Sequence, residues 1–345
     1  MQGTQVLDLI QHQSSAWQAT LSRTIQFPDS DPYVFCGSGS SYYLAQIAAH
    51  FALSLGFEAR AVASTDVILD PDIALRGKGT LIVISRSGTT TEALWAASEG
   101  QARHWTVIGV SCHADSPLVL AADQALISPQ GEDHTIVMIQ SFSSMLFLLQ
   151  NSLRRTAQPQ DLATPDIRGV DDLVQQTLTL VPPLFESLPR RLYLLGSGAR
   201  HGIAQEGALK AQEMSNQCAL AYSSMEFRHG PWGSLTPEDM VIVLGQTRHR
   251  QWEHAVVNDL LSRTSKVMVI AQPEWFDRHS AYPALVLPAT WPDLALGPLA
   301  IIPLQFFAWK WTIMVGKDPD HPANITQVVH LDDPKRSHSP SEKRS

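Results

Sequence analysis

The sequence repeats itself at an offset of 159 residues, and this repeat constrains the fold more than any other feature. The segment YVFCGSGSSYYLAQIAAHF, which begins at Tyr33, aligns with LYLLGSGARHGIAQEGALK, which begins at Leu192. Both segments carry an apolar run, then Gly-Ser-Gly, then Ala-Gln in the same register. Three further apolar runs match at this offset: LIVIS at 81 with MVIVL at 240, VIGVS at 107 with KVMVI at 266, and ALISP at 125 with ALVLP at 284. We therefore predict two halves with the same fold.

Helix-like stretches such as SYYLAQIAAHFALSLGF, TTEALWAASEGQARH and RQWEHAVVNDLLSRT separate these apolar runs. Strands that are apolar throughout, alternating with helices, are typical of a parallel sheet covered on both faces. The predicted fold class is α/β, with two tandem doubly wound, flavodoxin-like domains. We predict an N-terminal helix over 1–28, a first domain over 29–153, a linker over 154–172, a second domain over 173–332 and a disordered tail over 333–345.

A dense run of hydroxyl residues follows one predicted strand, in SRSGTTTE at 85–92. Serine and threonine cap helices, so one hydroxyl at this place would be ordinary. Five hydroxyls within seven residues exceed that need. Because backbone N–H groups and the helix dipole favour anions at a helix start, we favour a phosphate-binding loop over a simple cap. The corresponding part of the second half, GQTRHRQ at 245–251, lacks the hydroxyl cluster.

Other ligand classes are disfavoured by the same sequence. A dinucleotide-binding loop would need a third glycine, but Tyr42 and His201 occupy the two positions where it would stand. The formal net charge of −8, without a basic cluster, argues against nucleic acid or an acidic membrane as a partner. The three cysteines are widely spaced, and we find no signal peptide and no uninterrupted apolar span. We therefore expect a soluble, cytoplasmic protein that needs no cofactor and no metal.

Three motifs together resemble the sugar isomerase (SIS) family: SRSGTTTE after a strand, EGALKAQE, and EFRHGP. The resemblance covers roughly residues 30–332, and the ending GKDPDHPANITQVVHL is also similar to a C-terminal loop of that family. The similarity is greatest to the isomerase half of glucosamine-6-phosphate synthase and to stand-alone phosphosugar isomerases and amino-sugar-phosphate deaminases. It implies a small sugar phosphate as ligand and a homodimer with shared active sites.

The resemblance also assigns roles to individual positions. It implies that the sugar phosphate is held by Ser40, Ser41, Ser85, Arg86, Ser87 and Thr90. The catalytic carboxylate falls on Glu213, and the ring-opening histidine falls on His229, donated by the partner subunit. Gln327 occupies the place of the synthase's loop lysine and cannot form an imine, which favours the deaminase and isomerase branch.

For several of these residues the sequence leaves a structural alternative open. Glu206, Lys210 and Glu213 would share one helix face, so Glu206 and Lys210 are also consistent with an ordinary surface pair. His229 is suited to proton transfer at neutral pH, although a histidine beside Gly-Pro often has a structural role in a loop. The Arg86 side chain either binds phosphate or faces solvent. Alternative roles also remain for residues near these motifs: Glu226 orients His229 or pairs with Arg228, while Tyr42, Tyr43 and His134 shape the pocket or only pack.

The predicted activity is isomerisation and deamination of a hexosamine 6-phosphate, which gives a ketohexose 6-phosphate and ammonia. The sequence begins without a glutaminase domain, so glutamine-dependent synthesis is not expected. Cleavage of a fructosamine phosphate and plain aldose–ketose isomerisation are the alternative reactions. A non-catalytic sugar-phosphate sensor is the alternative outside enzymes, although it would not need both Glu213 and His229.

Overall fold

The computed structural model describes residues 2–29, 32–158, 166–277 and 282–331. Within them, ten strands form two five-stranded parallel sheets with the orders β2-β1-β3-β4-β5 and β7-β6-β8-β9-β10. The strands are β1 (Tyr33–Gly37), β2 (Ala59–Ala63), β3 (Thr80–Ile84), β4 (Thr106–Ser111), β5 (Gln124–Ile127), β6 (Leu192–Gly196), β7 (Ala219–Tyr222), β8 (Met240–Leu244), β9 (Val267–Ala271) and β10 (Ala284–Val286). The two orders are the same when counted within each half, so the predicted tandem fold is confirmed.

Twelve helices accompany the strands in the described residues. They are α1 (Thr4–Gln11), α2 (Gln13–Thr20), α3 (Ser40–Ser54), α4 (Ser64–Leu69), α5 (Pro71–Ala74), α6 (Thr91–Ala102), α7 (Pro117–Ala121), α8 (Gln140–Ala157), α9 (Val170–Leu180), α10 (Ala199–Ser215), α11 (Arg250–Leu261) and α12 (Gly297–Met314). Helices α3 and α10 follow the first strand of their halves, each after a left-handed glycine, Gly39 and Gly198, with φ of 56°. Corresponding turns therefore have corresponding backbone shapes.

The two halves share one interior. A continuous apolar cluster between the sheets joins α3 and α8 of the first half to α10 and α12 of the second. The contact of α3 with α10 is close, because a Cβ on Gly202 would lie 2.8 Å from a side-chain carbon of Ile47. Separate clusters cover the outer faces, with α6 on the first sheet and α11 on the second. The innermost strands are consequently buried along their whole length.

Two predicted boundaries differ from the structure. The N-terminal helix predicted over 1–28 is wrong as a single element, because α1 and α2 are separated at His12 and a 3₁₀ turn ends the segment at Arg23. The predicted linker over 154–172 is partly helical, since α8 continues to Ala157 and α9 begins at Val170; residues 159–165 lie outside the described part. The tail predicted over 333–345 also lies outside it.

The beginning and the end of the described chain are joined. Asp318 Oδ1 accepts a hydrogen bond from the backbone N–H of Gly3 at 3.0 Å, and Asp320 accepts from Gln5 and Val6 at 3.1 and 2.9 Å. These carboxylates satisfy N–H groups at the start of α1 that have no partner within the helix. The segment after α12 is thereby held against the first helix. Across the described ranges, no helix is long and apolar enough to cross a bilayer.

Candidate active site

A cavity of about 210 Å³ lies beyond the carboxyl ends of β1 and β3. Ligands of doubly wound sheets bind at this kind of position. Eight of the nine residues predicted for the site line the cavity: Ser40, Ser41, Ser85, Arg86, Ser87, Thr90, Glu213 and Gln327. Segments far apart in the sequence thus meet here, from both halves and from the C-terminal loop.

One end of the cavity is suited to an anion. The first turns of α3 and α6 both border it, so the positive ends of two helix dipoles face the same space. Ser85 Oγ accepts the backbone N–H of Gly88 at 3.1 Å and lies 3.2 Å from Thr90 Oγ1, which holds the loop closed. Thr90 stands at the N-cap of α6 without a capping hydrogen bond from its side chain. The hydroxyl run therefore does not act as a helix cap.

Gly88 allows this loop to form. Its φ is +64°, a conformation that residues with a side chain adopt rarely, and a Cβ there would lie 2.1 Å from Ser116 Oγ. The loop consequently depends on glycine for both its backbone shape and its fit against Ser116.

The Arg86 side chain does not face solvent, so that alternative raised by the sequence is wrong. It is only 5% exposed, and its guanidinium donates to the carbonyls of Thr135 and Ile136 at 3.1 Å each and to that of Val137 at 3.4 Å. Its Nη1 also lies 3.6 Å from the Asp133 carboxylate. The guanidinium is therefore not solvent-facing; it joins the loop 85–90 to the segment 133–139, while Arg86 also lines the cavity.

Asp133 completes this connection. Its carboxylate is buried and accepts the backbone N–H groups of Ile139, Gln140 and Ser141 at 3.0, 2.7 and 3.2 Å, at the start of α8. We call Arg86 and Asp133 the loop clamp. Because Ile136 and Met138 line the cavity, the loop clamp fixes one wall of the cavity relative to residues 85–90, which we call the anion loop.

The lining of the cavity also includes a lysine that lies between two glutamates on α10. Lys210 Nζ lies 3.5 Å from Glu206 Oε1 and contacts the Glu213 carboxylate. Glu206 and Lys210 are both fully buried, so the surface-pair alternative is wrong for them. The Glu213 side chain is 21% exposed and borders the cavity together with Lys210. Lys210 is thus a site residue that the sequence did not single out.

The pKa values of the buried Glu206 and Lys210 both lie above their ordinary values, for different reasons. Burial raises the pKa of Glu206 to about 8, against the opposing effect of Lys210. Burial alone would lower the pKa of Lys210, but the two neighbouring carboxylates outweigh it and raise that pKa above its ordinary value. The ammonium of Lys210 is consequently retained at neutral pH, and it faces the cavity beside Glu213.

His229, the ninth predicted residue, does not reach this cavity. It is exposed on the second half, where its backbone N–H bonds to the carbonyl of Glu226 at 2.9 Å. Arg228 pairs with Asp259, so a pairing of Glu226 with Arg228 is not observed. Tyr42, Tyr43 and His134 are also absent from the lining of this cavity.

The C-terminal loop closes the cavity from the side. Ile325, Thr326, Gln327 and Val329 line it, and the backbone N–H of Leu331 donates to Thr91 Oγ1 at 3.1 Å. The loop is therefore attached to the first residue of α6. Gln327 supplies an uncharged amide where a lysine would supply a cation.

In the described residues of the second half, a side chain fills the place that corresponds to the loop 85–90. Glu253 Oε2 accepts the backbone N–H of Gln246 at 2.8 Å, just after β8, and also the indole N–H of Trp275 at 2.8 Å. Glu253 is buried. A carboxylate of the chain itself thus occupies the region that an anion would take. No cluster of three or more potential metal ligands occurs in the residues that the structure describes.

Two tandem doubly wound parallel sheets, with a cavity beyond the carboxyl ends of β1 and β3, define the class of the protein as a two-domain α/β fold. A profile of the SIS domain matches residues 28–153 and 187–275, and the chain belongs to this family.

Comparison with known sequences agrees with this assignment. A probable glutamine–fructose-6-phosphate aminotransferase (isomerizing) of Acanthamoeba polyphaga mimivirus is 27% identical over 90% of this chain and 53% of its own length. The aminotransferase of this name from Aeropyrum pernix is 26% identical over 86% of this chain and 50% of its own length. The chain therefore spans about half the length of the curated relatives that it matches.

Solved structures of similar fold match over nearly their whole length. Glucosamine-6-phosphate deaminase from Thermotoga maritima has a TM-score of 0.80 at 23% identity and covers 95% of this chain and 98% of its own. Tagatose-6-phosphate ketose/aldose isomerase from Escherichia coli has a TM-score of 0.80 at 23% identity, with 96% and 97% covered. At these identities the likeness concerns the fold.

Proposed function

We propose that the chain is a phosphosugar isomerase that deaminates a hexosamine 6-phosphate to a ketohexose 6-phosphate and ammonia. The observation that carries this proposal is that one cavity is lined both by the hydroxyl loop 85–90 and by the Glu213 carboxylate beside Lys210. A sugar phosphate needs both, the loop for its phosphate and the carboxylate for proton transfer at its carbons. The structural relatives, which are a deaminase and a ketose/aldose isomerase, support the same reaction class.

In this proposal the phosphate binds against the hydroxyls and backbone N–H groups of the loop Ser85–Thr90 and the start of α3. Donors fixed before the ligand arrives need little reorganisation on binding. With the phosphate held there, C1 and C2 of the open-chain sugar extend toward α10. Glu213 is then the group that exchanges protons with these carbons.

The proposed reaction begins when Glu213 takes the proton from C2 of the open-chain amino aldose, which leaves an enolamine between C1 and C2. Return of the proton to C1 gives an imine at C2, and water hydrolyses this imine to the ketose and ammonia. Lys210 has a positioning role, because its ammonium contacts the Glu213 carboxylate. Plain isomerisation of a hexose 6-phosphate would use the same proton transfer and release no ammonia.

Opening of the sugar ring requires a further proton donor and acceptor. Since His229 is exposed and distant from the cavity of its own chain, we place it over the cavity of a partner subunit in a homodimer. Gln327 does not offer an amine for imine formation. These features favour deamination and isomerisation over the aminotransfer named in the longer relatives.

The test is ammonia release from glucosamine 6-phosphate and galactosamine 6-phosphate, measured with the purified chain and with Glu213→Gln. We expect release from one epimer and a loss of about 10²-fold or more in the variant, as for removal of a general base. The matched control is Glu186→Gln. Glu186 follows the 3₁₀ turn Pro182–Phe185 and does not line the cavity, so we expect this variant to retain full activity. Thermal stabilisation by both sugars without ammonia release or isomerisation would contradict the proposal and favour a sugar-phosphate sensor.

A further inference from the structure

One acidic side chain in the lining of the candidate active site has no partner. Glu92 lies in the first turn of α6, two residues after Thr90, and lines the cavity. It is only 9% exposed, and its Oε2 is buried without a hydrogen-bond partner. None of the ion pairs among the described residues includes it. Glu213, the other acidic residue of the lining, differs because it contacts Lys210.

The position of Glu92 at the start of α6 does not by itself explain this arrangement. A carboxylate is favourable in a first helical turn because it complements the helix dipole, and it does so equally well in contact with water. Glu92 is instead buried, and its Oε2 accepts no backbone N–H of that turn. Burial of a carboxylate oxygen without a donor is unfavourable. A donor that enters the cavity with a ligand would relieve this cost.

The cations that border the cavity are already engaged with other groups. Lys210 contacts Glu213, and the Arg86 guanidinium donates to backbone carbonyls of the segment 133–139. The phosphate of a ligand is excluded as a partner of Glu92, because two anions repel each other. The amine of a hexosamine is also excluded, because it is attached to C2, at the carbons that the proposed reaction places beside Glu213. The remaining donors of such a ligand are its hydroxyl groups.

A second polar atom of the lining is also without a partner. Ser38, in the turn between β1 and α3, lines the cavity, and its Oγ is buried without a hydrogen-bond partner. A hydroxyl can both donate and accept, as can each hydroxyl of a sugar. The cavity therefore has unmet hydrogen-bonding capacity on two segments, which suits a ligand with several hydroxyls.

We propose that Glu92 is a specificity-determining residue, whose carboxylate accepts a hydrogen bond from a hydroxyl of the sugar chain near its phosphate. The inference rests on the proposed function and narrows its substrate class to phosphates of polyhydroxylated chains. A hydrogen bond to a carboxylate is stronger than one between neutral groups. A phosphate monoester without hydroxyls would leave Glu92 unpaired, so the cavity discriminates against it.

Binding of two probes to the full chain, measured by calorimetric titration, tests the proposal. Glucitol 6-phosphate carries the hydroxyls but no carbonyl, so it neither isomerises nor releases ammonia, and ethyl phosphate lacks the hydroxyls. We expect the wild type to bind glucitol 6-phosphate more tightly. In Glu92→Gln the ratio of the two affinities should fall by about tenfold, because the amide is a weaker acceptor than the carboxylate. The ratio cancels the effect of the lost charge on the phosphate itself.

The matched control is Glu99→Gln, a change on the same helix at a residue that pairs with Arg103 and does not line the cavity. Its ratio should equal that of the wild type. If Glu92 only stabilises the start of α6, its replacement weakens both probes alike, so an unchanged ratio in Glu92→Gln overturns the proposal. If Glu92→Gln does not fold, Glu92→Asp applies the same test with the carboxylate withdrawn by one methylene group, and an unchanged ratio again overturns it.

The outcomes separate this proposal from the reaction on which it rests. Tighter binding of glucitol 6-phosphate that is lost in Glu92→Gln, without ammonia release or isomerisation by the wild type, would overturn the reaction and support the role of Glu92. Equal affinities of the wild type for the two probes, together with ammonia release, would overturn the role of Glu92 and leave the reaction intact.

Discussion

At the scale of residues, the group on α10 shows how burial changes the role of ordinary side chains. Glu206 and Lys210 are spaced like a surface ion pair, yet α10 packs against both α3 and α12, which removes both residues from solvent. The spacing of residues within one helix does not show which other helices pack against it. For this reason Glu213 could be predicted from its motif, while Lys210 and the burial of Glu206 could not.

The raised pKa of Glu206 leads to a prediction about stability. The folded chain holds the proton on Glu206 up to about pH 8, whereas the unfolded chain releases it near the ordinary value of 4.5. The folded state therefore binds more protons than the unfolded state between these pH values. The contribution of Glu206 to the free energy of unfolding falls as the pH rises through this window. The slope reaches at most about 1.4 kcal/mol per pH unit.

We expect Glu206→Gln to flatten the pH dependence of the free energy of unfolding between about pH 5 and 8, measured by urea denaturation. Glu58→Gln, a change at an exposed position, serves as the control and keeps the wild-type slope. An unchanged slope in Glu206→Gln would show that this carboxyl does not hold its proton in the folded chain.

At the scale of elements, the loop clamp connects the anion loop with α8. In Arg86→Gln, three backbone carbonyls lose their donor and the buried Asp133 loses its nearby cation. We expect a loss of about 3 kcal/mol in the free energy of unfolding, as for a broken buried pair. Phosphate affinity should fall as well, because the loop is no longer fixed.

The matched control is Arg168→Gln, which breaks the exposed pair of Arg168 with Asp166. Exposed pairs contribute about 1 kcal/mol or less, so this variant should remain close to the wild type in urea denaturation. Equal losses in the two arginine variants would argue that the clamp adds nothing beyond a surface pair.

The strands show how far the sequence predicts the elements. The apolar runs of β1, β3 and β4 and of their second-half counterparts are predicted by the sequence, because strands buried on both faces are apolar throughout. The edge strands β5 and β10 are partly exposed, and they are predicted because their runs match in the repeat. The edge strands β2 and β7 were missed. ARAVA and ALAY are short and mostly half-buried, so they lack the long apolar run on which the prediction depended.

At the scale of the whole molecule, the separation of His229 from the cavity predicts cooperation between two subunits. Glu213→Gln and His229→Asn should each be inactive alone. When they are unfolded and refolded together, mixed dimers form in which one shared site keeps both native residues. Random pairing makes half of the dimers mixed, and we expect roughly a quarter of the wild-type activity.

The measurement is ammonia release by the refolded mixture, with each variant refolded separately as a control. Mass spectrometry verifies that the mixture contains mixed dimers. If such a mixture recovers no activity, His229 either takes no part in the reaction or acts in the site of its own subunit. This outcome would leave the role of Glu213 intact.

The hydrogen bonds from α1 to Asp318 and Asp320 bear on how the chain is made. A ribosome releases α1 before the carboxylates that bind its leading N–H groups, which come more than 300 residues later. The segment that closes the cavity, Ile325 to Val329, emerges later still. A nascent chain can therefore build both sheets while the cavity stays open, and the first helix and the last loop take their places together after translation has passed them.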